Sequence, residues 1–103
     1  MSTSAKIRAK LKGDAVLIKA LMTHPMETGL RKDKATGKVV PADYIKNVKC
    51  EMAGKVIMNC NWNATVSKNP YLSFLCAGNK GDEFKMTWTD NHGATGSKSA
   101  IVK

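Results

Sequence analysis

A strict alternation runs through Lys6-Ile7-Arg8-Ala9-Lys10-Leu11-Lys12 near the amino terminus. Cationic side chains occupy the even positions and apolar side chains the odd ones. This period of two matches a β-strand, because successive side chains of a strand point to opposite faces of its sheet. The segment therefore predicts a half-buried strand with a row of cations on its outer face. Such a row discourages edge-to-edge pairing, and we weigh that structural role above a phosphate-binding stripe.

Short apolar or alternating segments continue along the chain, separated by turn signals such as Gly13-Asp14 and Asn69-Pro70. Together they predict about seven short strands and no helix, which is typical of an immunoglobulin-like antiparallel β-sandwich. We therefore expect an all-β fold with one domain over residues 1–103. The polar connection over residues 31–43 is expected to be exposed, with a short hairpin. The further strands are expected at Val16–Met22, Tyr44–Met52, Val56–Trp62, Tyr71–Ala77, Phe84–Thr89 and Ser99–Val102.

The connection after Met52 has to keep the apolar sets of two neighbouring strands on one face of the sheet. Both sets occupy even positions. Because a one-residue slip moves every side chain to the opposite face, the loop must hold an odd number of residues. A three-residue loop over Ala53-Gly54-Lys55 with Gly54 left-handed meets this requirement, and a two-residue loop does not. This register places Cys50 opposite Met58.

The three cysteines, Cys50, Cys60 and Cys76, are interpreted as small buried hydrophobes. Their odd number leaves at least one unpaired. In the register above, Cys60 faces Val48, so Cys50 and Cys60 are diagonal neighbours about 7–8 Å apart, too far for a disulfide. All three fall on inward strand faces, and no Cys-x-x-Cys pair offers a zinc site. The spacing gives no support to a nucleophile formed by a cysteine and one of the two histidines.

The excess of positive charge points to anionic partners. Seventeen basic against eight acidic residues give a formal net charge of +9, with a pI near 9.7. A nucleic acid, an acidic protein surface or a small oxyanion would each satisfy this charge. Nucleic-acid binding by the basic strand is the alternative function, although the sequence offers neither a recognition helix nor a surface of stacking aromatic side chains.

Several sequence signals of other protein classes are missing. No segment reaches the roughly 18 apolar residues of a membrane helix, since Lys19 interrupts the most apolar one. The amino terminus does not resemble a signal peptide, which taken alone predicts a cytoplasmic protein. The sequence shows no phosphate loop, dinucleotide fingerprint or paired-carboxylate spacing. It therefore favours a binding or scaffold role, with no cofactor and no metal, over catalysis.

One loop has a distinctive chemistry and reads His24-Pro25-Met26-Glu27-Thr28-Gly29-Leu30-Arg31-Lys32. Pro25 ends the preceding strand, because it lacks a backbone donor and pushes His24 toward extended geometry. Gly29 permits a positive φ. Loops held by rigid strands often carry binding residues, so we treat this one as a candidate binding loop. A β-turn with a solvated run of charges is an equally weighted alternative.

This loop combines with two other segments into a pattern that resembles the SoxZ family. These segments are Asn69-Pro70-Tyr71-Leu72-Ser73-Phe74 and Thr87-Trp88-Thr89-Asp90, and the likeness runs from about Lys6 to the carboxyl terminus. The resemblance implies an immunoglobulin-like sandwich that pairs with SoxY in the periplasm of sulfur-oxidising bacteria. SoxY carries the sulfur substrate covalently on a cysteine near the end of a flexible, glycine-rich arm.

The resemblance further implies a subunit that is not an enzyme. Such a subunit binds SoxY and helps present its arm to the other Sox enzymes of thiosulfate oxidation, without contact to nucleic acid or membrane. This chain ends Ala100–Lys103, without an arm of that kind, so it resembles the partner of the carrier. Export together with SoxY, which bears a twin-arginine signal, would explain the missing signal peptide. Three cysteines exceed what the family leads us to expect, and any exposed one is expected to be Cys60, near a strand end.

The expected contacts with SoxY lie in the His24 loop and in the turn at Asn69. Arg31 is expected to pair with a carboxylate of the partner. Tyr71 is expected to act as an aromatic anchor, with sheet packing as an equally weighted alternative. The positive charge is expected to draw anionic sulfur intermediates toward the arm. The full set of expected contact residues is His24, Pro25, Met26, Glu27, Thr28, Gly29, Arg31, Asn69, Pro70 and Tyr71.

Overall fold

The residues that the structure describes form seven β-strands in two antiparallel sheets. The computed structural model describes residues 4–24, 26–63, 66 and 68–103. These residues form no helix, and so none with the length and hydropathy that a membrane span needs. The predicted all-β class is confirmed. The strands are β1 (Ser4–Lys12), β2 (Ala15–Thr23), β3 (Ile45–Met52), β4 (Lys55–Asn61), β5 (Tyr71–Cys76), β6 (Glu83–Asp90) and β7 (Thr95–Ile101).

The two sheets form a sandwich of three and four strands. One sheet has the order β1-β2-β5 and the other the order β4-β3-β6-β7. Apolar side chains from both sheets form one core, in which the rings of Phe74 and Phe84 meet with their centroids 6.1 Å apart. Burial of this apolar surface is the main favourable term in folding. The chain end ties the sheets together, because the amide of Lys103 donates to the carbonyl of Ala9 over 3.0 Å.

The strand at each end of the chain tests the sequence prediction. The alternation in β1 is confirmed, since its cations are exposed while Ala9 is buried. The last strand begins at Thr95, earlier than the predicted Ser99, and it pairs with β6. Gly96 lies directly over the indole of Trp88, so its missing Cβ lets the two strands approach. The early part of β7 carries no apolar alternation and therefore gave no strand signal.

The turn between β3 and β4 differs from the predicted three-residue loop. Met52 pairs directly with Lys55, so the loop consists of Ala53-Gly54 alone. Both loop residues have positive φ, 51° and 82°, as a type I′ turn requires. The odd residue is supplied by a β-bulge at Ile57 within β4. The predicted register of the cysteines is confirmed, because the bulge restores the parity that a two-residue turn alone would break.

The connection between β2 and β3 folds into the short hairpin that the sequence predicts. The backbones of Glu27 and Asp43 exchange hydrogen bonds of 2.7 and 3.0 Å. A second bridge pairs Lys32 with Val39 nearer the tip. Antiparallel pairing of this kind holds the long connection without a full strand. The hairpin thereby brings Asp43 beside the loop that follows His24.

The three cysteines are free thiols that differ in burial. Cys50 is fully buried, whereas Cys60 and Cys76 are partly exposed. Burial raises the pKa of the Cys50 thiol to about 11. Burial also raises the pKa of Cys76. The predicted burial is therefore confirmed for Cys50, while Cys60 and Cys76 are only partly buried and both keep some access to solvent.

A thiol reagent at pH 8 is expected to label Cys50 in the folded protein far more slowly than Cys60 or Cys76. The thiolate is the reactive form, so a pKa of about 11 leaves about one Cys50 thiol in a thousand reactive at that pH. Raising the pH to 9 should speed the labelling of Cys50 about tenfold. Timed alkylation followed by peptide mass mapping measures the three rates, with urea-unfolded protein as the control. Prompt labelling of Cys50 in the folded protein would contradict its burial.

Candidate functional site

Four segments meet at one end of the sandwich. The loop after β2 starts there with His24. Asp43, which lies just before β3, is close to the His24 ring. Asn69 precedes β5, and the turn between β6 and β7 follows Asp90. Hydrogen bonds join these segments into one unit. We name this unit the His24 junction, formed by His24, Met26, Asp43, Asn69 and Asn91.

The backbone of His24 is bound to Asn69 from both sides. The His24 amide donates to Asn69 Oδ1 over 3.0 Å, and the Asn69 amide donates to the His24 carbonyl over 2.9 Å. Asn69 adopts a positive φ of 52°, which asparagine tolerates better than most residues. These two bonds join the two segments in which the expected partner contacts lie, although 45 residues separate them in sequence.

The His24 ring holds Met26 in an unusual backbone conformation. His24 is only 4% exposed, and its Nδ1 accepts a hydrogen bond of 3.0 Å from the Met26 amide. Met26 has a φ of 51°, although methionine has no preference for the left-handed region. Its Sδ accepts a buried hydrogen bond of 3.4 Å from the amide of Ile45. Strained residues held by their surroundings often cluster at functional sites.

The second ring nitrogen of His24 faces an acidic side chain. Nε2 lies 3.4 Å from Oδ1 of Asp43, and Nε2 of His92 lies 4.0 Å from the same oxygen. Because Nδ1 of His24 accepts a hydrogen bond from the Met26 amide, the ring proton belongs on Nε2. Asp43 is then the acceptor that this proton faces. Both nitrogens of the buried ring are therefore engaged within the protein.

The spacing of three side chains in this region raises the question of a metal ion. The ligand atoms of His24, Asp43 and Asp90 lie within 4.8 Å of one another. A metal-bound histidine usually donates a hydrogen bond from its second ring nitrogen, whereas Nδ1 of His24 accepts one. Asp90 Oδ1 already accepts two backbone amides of the following turn, each at 2.9 Å. These hydrogen bonds favour an anchor between loops over a metal site.

Asn91 fastens the turn after β6 to the segment around Asp43. Its Oδ1 accepts from the Tyr44 amide and its Nδ2 donates to the Ala42 carbonyl, each over 2.9 Å. Its own amide also donates to the Tyr44 carbonyl over 2.9 Å. Three bonds from one residue satisfy backbone groups that have no strand partner. The segment that carries Asp43 is thus fixed from both sides.

An ion pair lies on the exposed side of the His24 loop. Arg31 Nε contacts both oxygens of Glu27 at 3.0 and 3.1 Å, and Arg31 Nη2 contacts Oε1 at 2.7 Å. The hydrogen bond from Arg31 holds the pKa of Glu27 below its usual range. The Arg31 side chain is still 58% exposed. Its guanidinium is therefore oriented by the protein itself while remaining open to a partner.

The described members of the expected contact set fall into three groups by burial. His24, Met26 and Pro70 are buried, so they can position the loops but cannot touch a partner directly. Glu27 and Gly29 are partly buried, and Gly29 has the expected positive φ, 85°. Pro25 lies outside the described residues. The exposed members of the set are Thr28, Arg31, Asn69 and Tyr71.

Leu30 is a candidate contact residue that the sequence analysis missed. Its side chain is 85% exposed at the crest of the loop, between Gly29 and Arg31. Its amide donates to Thr28 Oγ1 over 3.1 Å, which fixes the local backbone. An apolar residue alone in a polar loop was the available signal, since such a side chain gains most by burial against another surface.

Comparison with known protein families is consistent with the sequence resemblance. The family described as Sulphur oxidation protein SoxZ matches residues 5–101. A search of curated proteins found no match. The family match covers nearly all of the 103-residue chain, including the whole His24 junction. The chain therefore belongs to the SoxZ family, which takes part in sulfur oxidation.

Proposed function

We propose that the chain is a non-catalytic subunit that binds SoxY and helps present SoxY's cysteine-bearing arm to the other Sox enzymes. Membership of the SoxZ family supports this role. One observation links this role to particular residues. Two hydrogen bonds join the His24 loop to the Asn69 turn, so the two segments form one continuous surface. The proposed location is the periplasm, which the chain reaches by export together with SoxY.

The state of two side chains, Cys50 and His24, supports a role without chemistry at these positions. The raised pKa of Cys50, about 11, keeps that thiol protonated and weakly nucleophilic. A general base needs a ring nitrogen that can reach the substrate proton. In His24, Nδ1 accepts from Met26, Nε2 faces Asp43, and the ring is buried. We assign the covalent chemistry to the cysteine of SoxY, as the family resemblance implies.

The proposed contact surface consists of the exposed side chains around the His24 junction. Leu30 supplies an apolar anchor at the loop crest, and Tyr71 supplies an aromatic ring that is 58% exposed. Arg31 is held by Glu27, so it loses less conformational freedom on binding than an unrestrained side chain would. The buried histidine and methionine maintain the loop shape on which these contacts depend.

Replacing Arg31 with glutamate is expected to reduce the recovery of SoxY by about tenfold when the tagged chain is purified from cells that express both. The substitution reverses the charge offered to a partner carboxylate. Lys34→Glu is the matched control, because Lys34 is exposed in the same hairpin and carries the same charge. Unchanged recovery with Arg31→Glu would count against this surface.

A charge swap separates the partner contact from the internal ion pair. The double variant Glu27→Arg and Arg31→Glu restores attraction between the two side chains but leaves negative charge at position 31. If Arg31 meets SoxY, this double variant should also recover little SoxY. Full recovery would show that only the pairing of residues 27 and 31 matters, and that Arg31 makes no contact with the partner.

A further inference from the structure

The outer face of the sheet β1-β2-β5 combines exposed cations with exposed apolar side chains. The cations of β1 project from it at every second residue. On β2 and β5, the exposed fractions are 44% for Leu21, 58% for Tyr71 and 62% for Leu75. No acidic side chain belongs to this set. We refer to it as the outer face, formed by Lys6, Arg8, Lys10, Lys12, Leu17, Lys19, Leu21, Tyr71 and Leu75.

The strand register arranges the outer face in rows across the sheet. Lys6 pairs with Leu21, which in turn pairs with Tyr71. Two residues further along, Arg8 pairs with Lys19. Directly opposed residues of antiparallel strands share a face and lie about 4.5–5.5 Å apart at Cβ. The next row repeats the first in kind, with Lys10, Leu17 and Leu75.

The cations of the outer face are available to a partner. Among the described residues, the salt bridges involve His24, Arg31, Lys49 and His92, and none involves a cation of this face. Side chains of β1 and β2 also line a depression of about 390 Å³. The cations of β1 therefore form a row of positive charge that no acidic side chain of this face neutralises, and it lies beside exposed apolar side chains.

The mixture of side chains indicates what kind of surface fits this face. A nucleic acid would use the cations, but only Tyr71 offers a ring for base stacking, and exposed leucines add nothing to phosphate binding. A permanent subunit contact is disfavoured, because lysine is depleted at the centre of such interfaces. Rows of cations flanking a few apolar anchors suit an acidic protein surface that is attracted over a distance and then released.

We propose that the outer face is the docking surface for an acidic enzyme that acts on the sulfur carried by SoxY, and that the contact is transient. The inference rests on the proposed function, since the enzyme meets the chain within its complex with SoxY. Tyr71 directly follows Pro70, whose carbonyl accepts from the Met22 amide over 2.9 Å. The outer face and the proposed SoxY contacts thus adjoin at Tyr71, which belongs to both and lies at their border. An enzyme docked there would stand beside the carrier arm.

The test compares complexes of SoxY with variants of this chain. In the first variant, Arg8→Glu and Lys10→Glu reverse the centre of the cationic row. Its matched control, Lys85→Glu and Lys98→Glu, makes the same charge change at exposed positions of the other sheet. The probes are the purified Sox enzymes from the same organism, each assayed with the complex as substrate at low and at high salt.

At low salt, the first variant is expected to raise the KM of at least one enzyme for the complex about tenfold, with kcat unchanged. High salt should reduce this difference, because it screens the interaction. The control should change KM less than twofold. Leu75→Ser should raise KM at both salt concentrations, since it removes an apolar anchor. An unchanged KM for every enzyme, or an equal effect in the control, would overturn the inference.

Two further results also decide the matter. If the Arg8→Glu, Lys10→Glu variant no longer binds SoxY, the outer face is part of the subunit contact and the inference is wrong. If the unmodified complex binds duplex DNA at physiological salt and the variant does not, the face serves nucleic acid instead. A chain that fails to bind SoxY before any substitution contradicts the proposed function itself. If the chain binds SoxY but substitutions in the outer face leave the KM of every enzyme unchanged, only this inference is contradicted.

Discussion

Replacing His24 with alanine is expected to lower the free energy of unfolding by about 2–4 kcal/mol. The substitution empties the space of a side chain that is almost fully buried. It also leaves the Met26 amide without its acceptor, while Met26 stays in a left-handed conformation. An unpaired buried amide alone costs about 1–3 kcal/mol. Urea unfolding followed by tryptophan fluorescence measures the change in midpoint at constant m-value.

Two conservative variants show which ring nitrogen carries this effect. His24→Asn places an amide oxygen near the position of Nδ1, so it can still accept from Met26. His24→Gln reaches further and can keep a polar contact with Asp43 instead. We expect His24→Asn to recover more stability than His24→Gln, because the Met26 bond is short and buried while Asp43 is partly exposed. The reverse order would contradict the assigned role of Nδ1.

Replacing Gly96 with alanine is expected to cost about 2 kcal/mol. A Cβ at this position would lie 2.7 Å from three indole atoms of Trp88, far inside van der Waals contact. Trp88 is only 5% exposed and sits in the core of the sandwich, so its ring cannot move aside freely. The strain should appear as a lower midpoint of thermal or urea unfolding.

A second substitution tests whether the cost comes from this contact. In a Trp88→Phe background the smaller ring leaves room, so Gly96→Ala should cost less than about 1 kcal/mol there. The difference between the two backgrounds is the coupling energy of the pair. An equal cost in both would mean that Gly96 is needed for its backbone alone, and that the close approach to the indole is not what fixes it.

Much of the fold was visible in the sequence, because alternation reports directly on burial. The cations of β1 alternate with side chains that pack on the core, and this pattern placed the strand correctly. The turn at Ala53-Gly54 was predicted wrongly, since parity can be met by a bulge as well as by loop length. Parity fixes only whether the loop residues and bulge residues together make an odd number. The structure shows that the extra residue is Ile57, in the bulge.

The site was visible in part. Gly29 was expected to have a positive φ, and it does. This conformation could be predicted because glycine, which lacks a Cβ, adopts positive φ readily. The left-handed Met26 has no such sequence signal, since its conformation depends on the acceptor that His24 provides. The bond between His24 and Asn69 spans 45 residues, and no local pattern could predict it. Resemblance to a family marked both loops as candidates without showing that they touch.

The rigidity of the His24 junction gives the proposed role a physical basis. A subunit that only presents a partner's arm must hold its contact loops in one shape. If the loops were flexible, ordering each side chain on binding would cost entropy and weaken the binding. Hydrogen bonds from Asn69 and Asn91 supply that order where no strand pairing is available. The exposed Leu30, Arg31 and Tyr71 can then act as preformed contacts.

Intact-mass spectrometry of the complex isolated from thiosulfate-oxidising cells tests the central claim most directly. This claim is that the chain provides a binding surface for SoxY and does not itself carry the sulfur substrate. We predict that SoxY co-purifies with added sulfur mass, while this chain of 11.2 kDa is recovered without an adduct on Cys50, Cys60 or Cys76. A sulfur adduct on any of these thiols, or recovery of the chain without SoxY, would contradict the account.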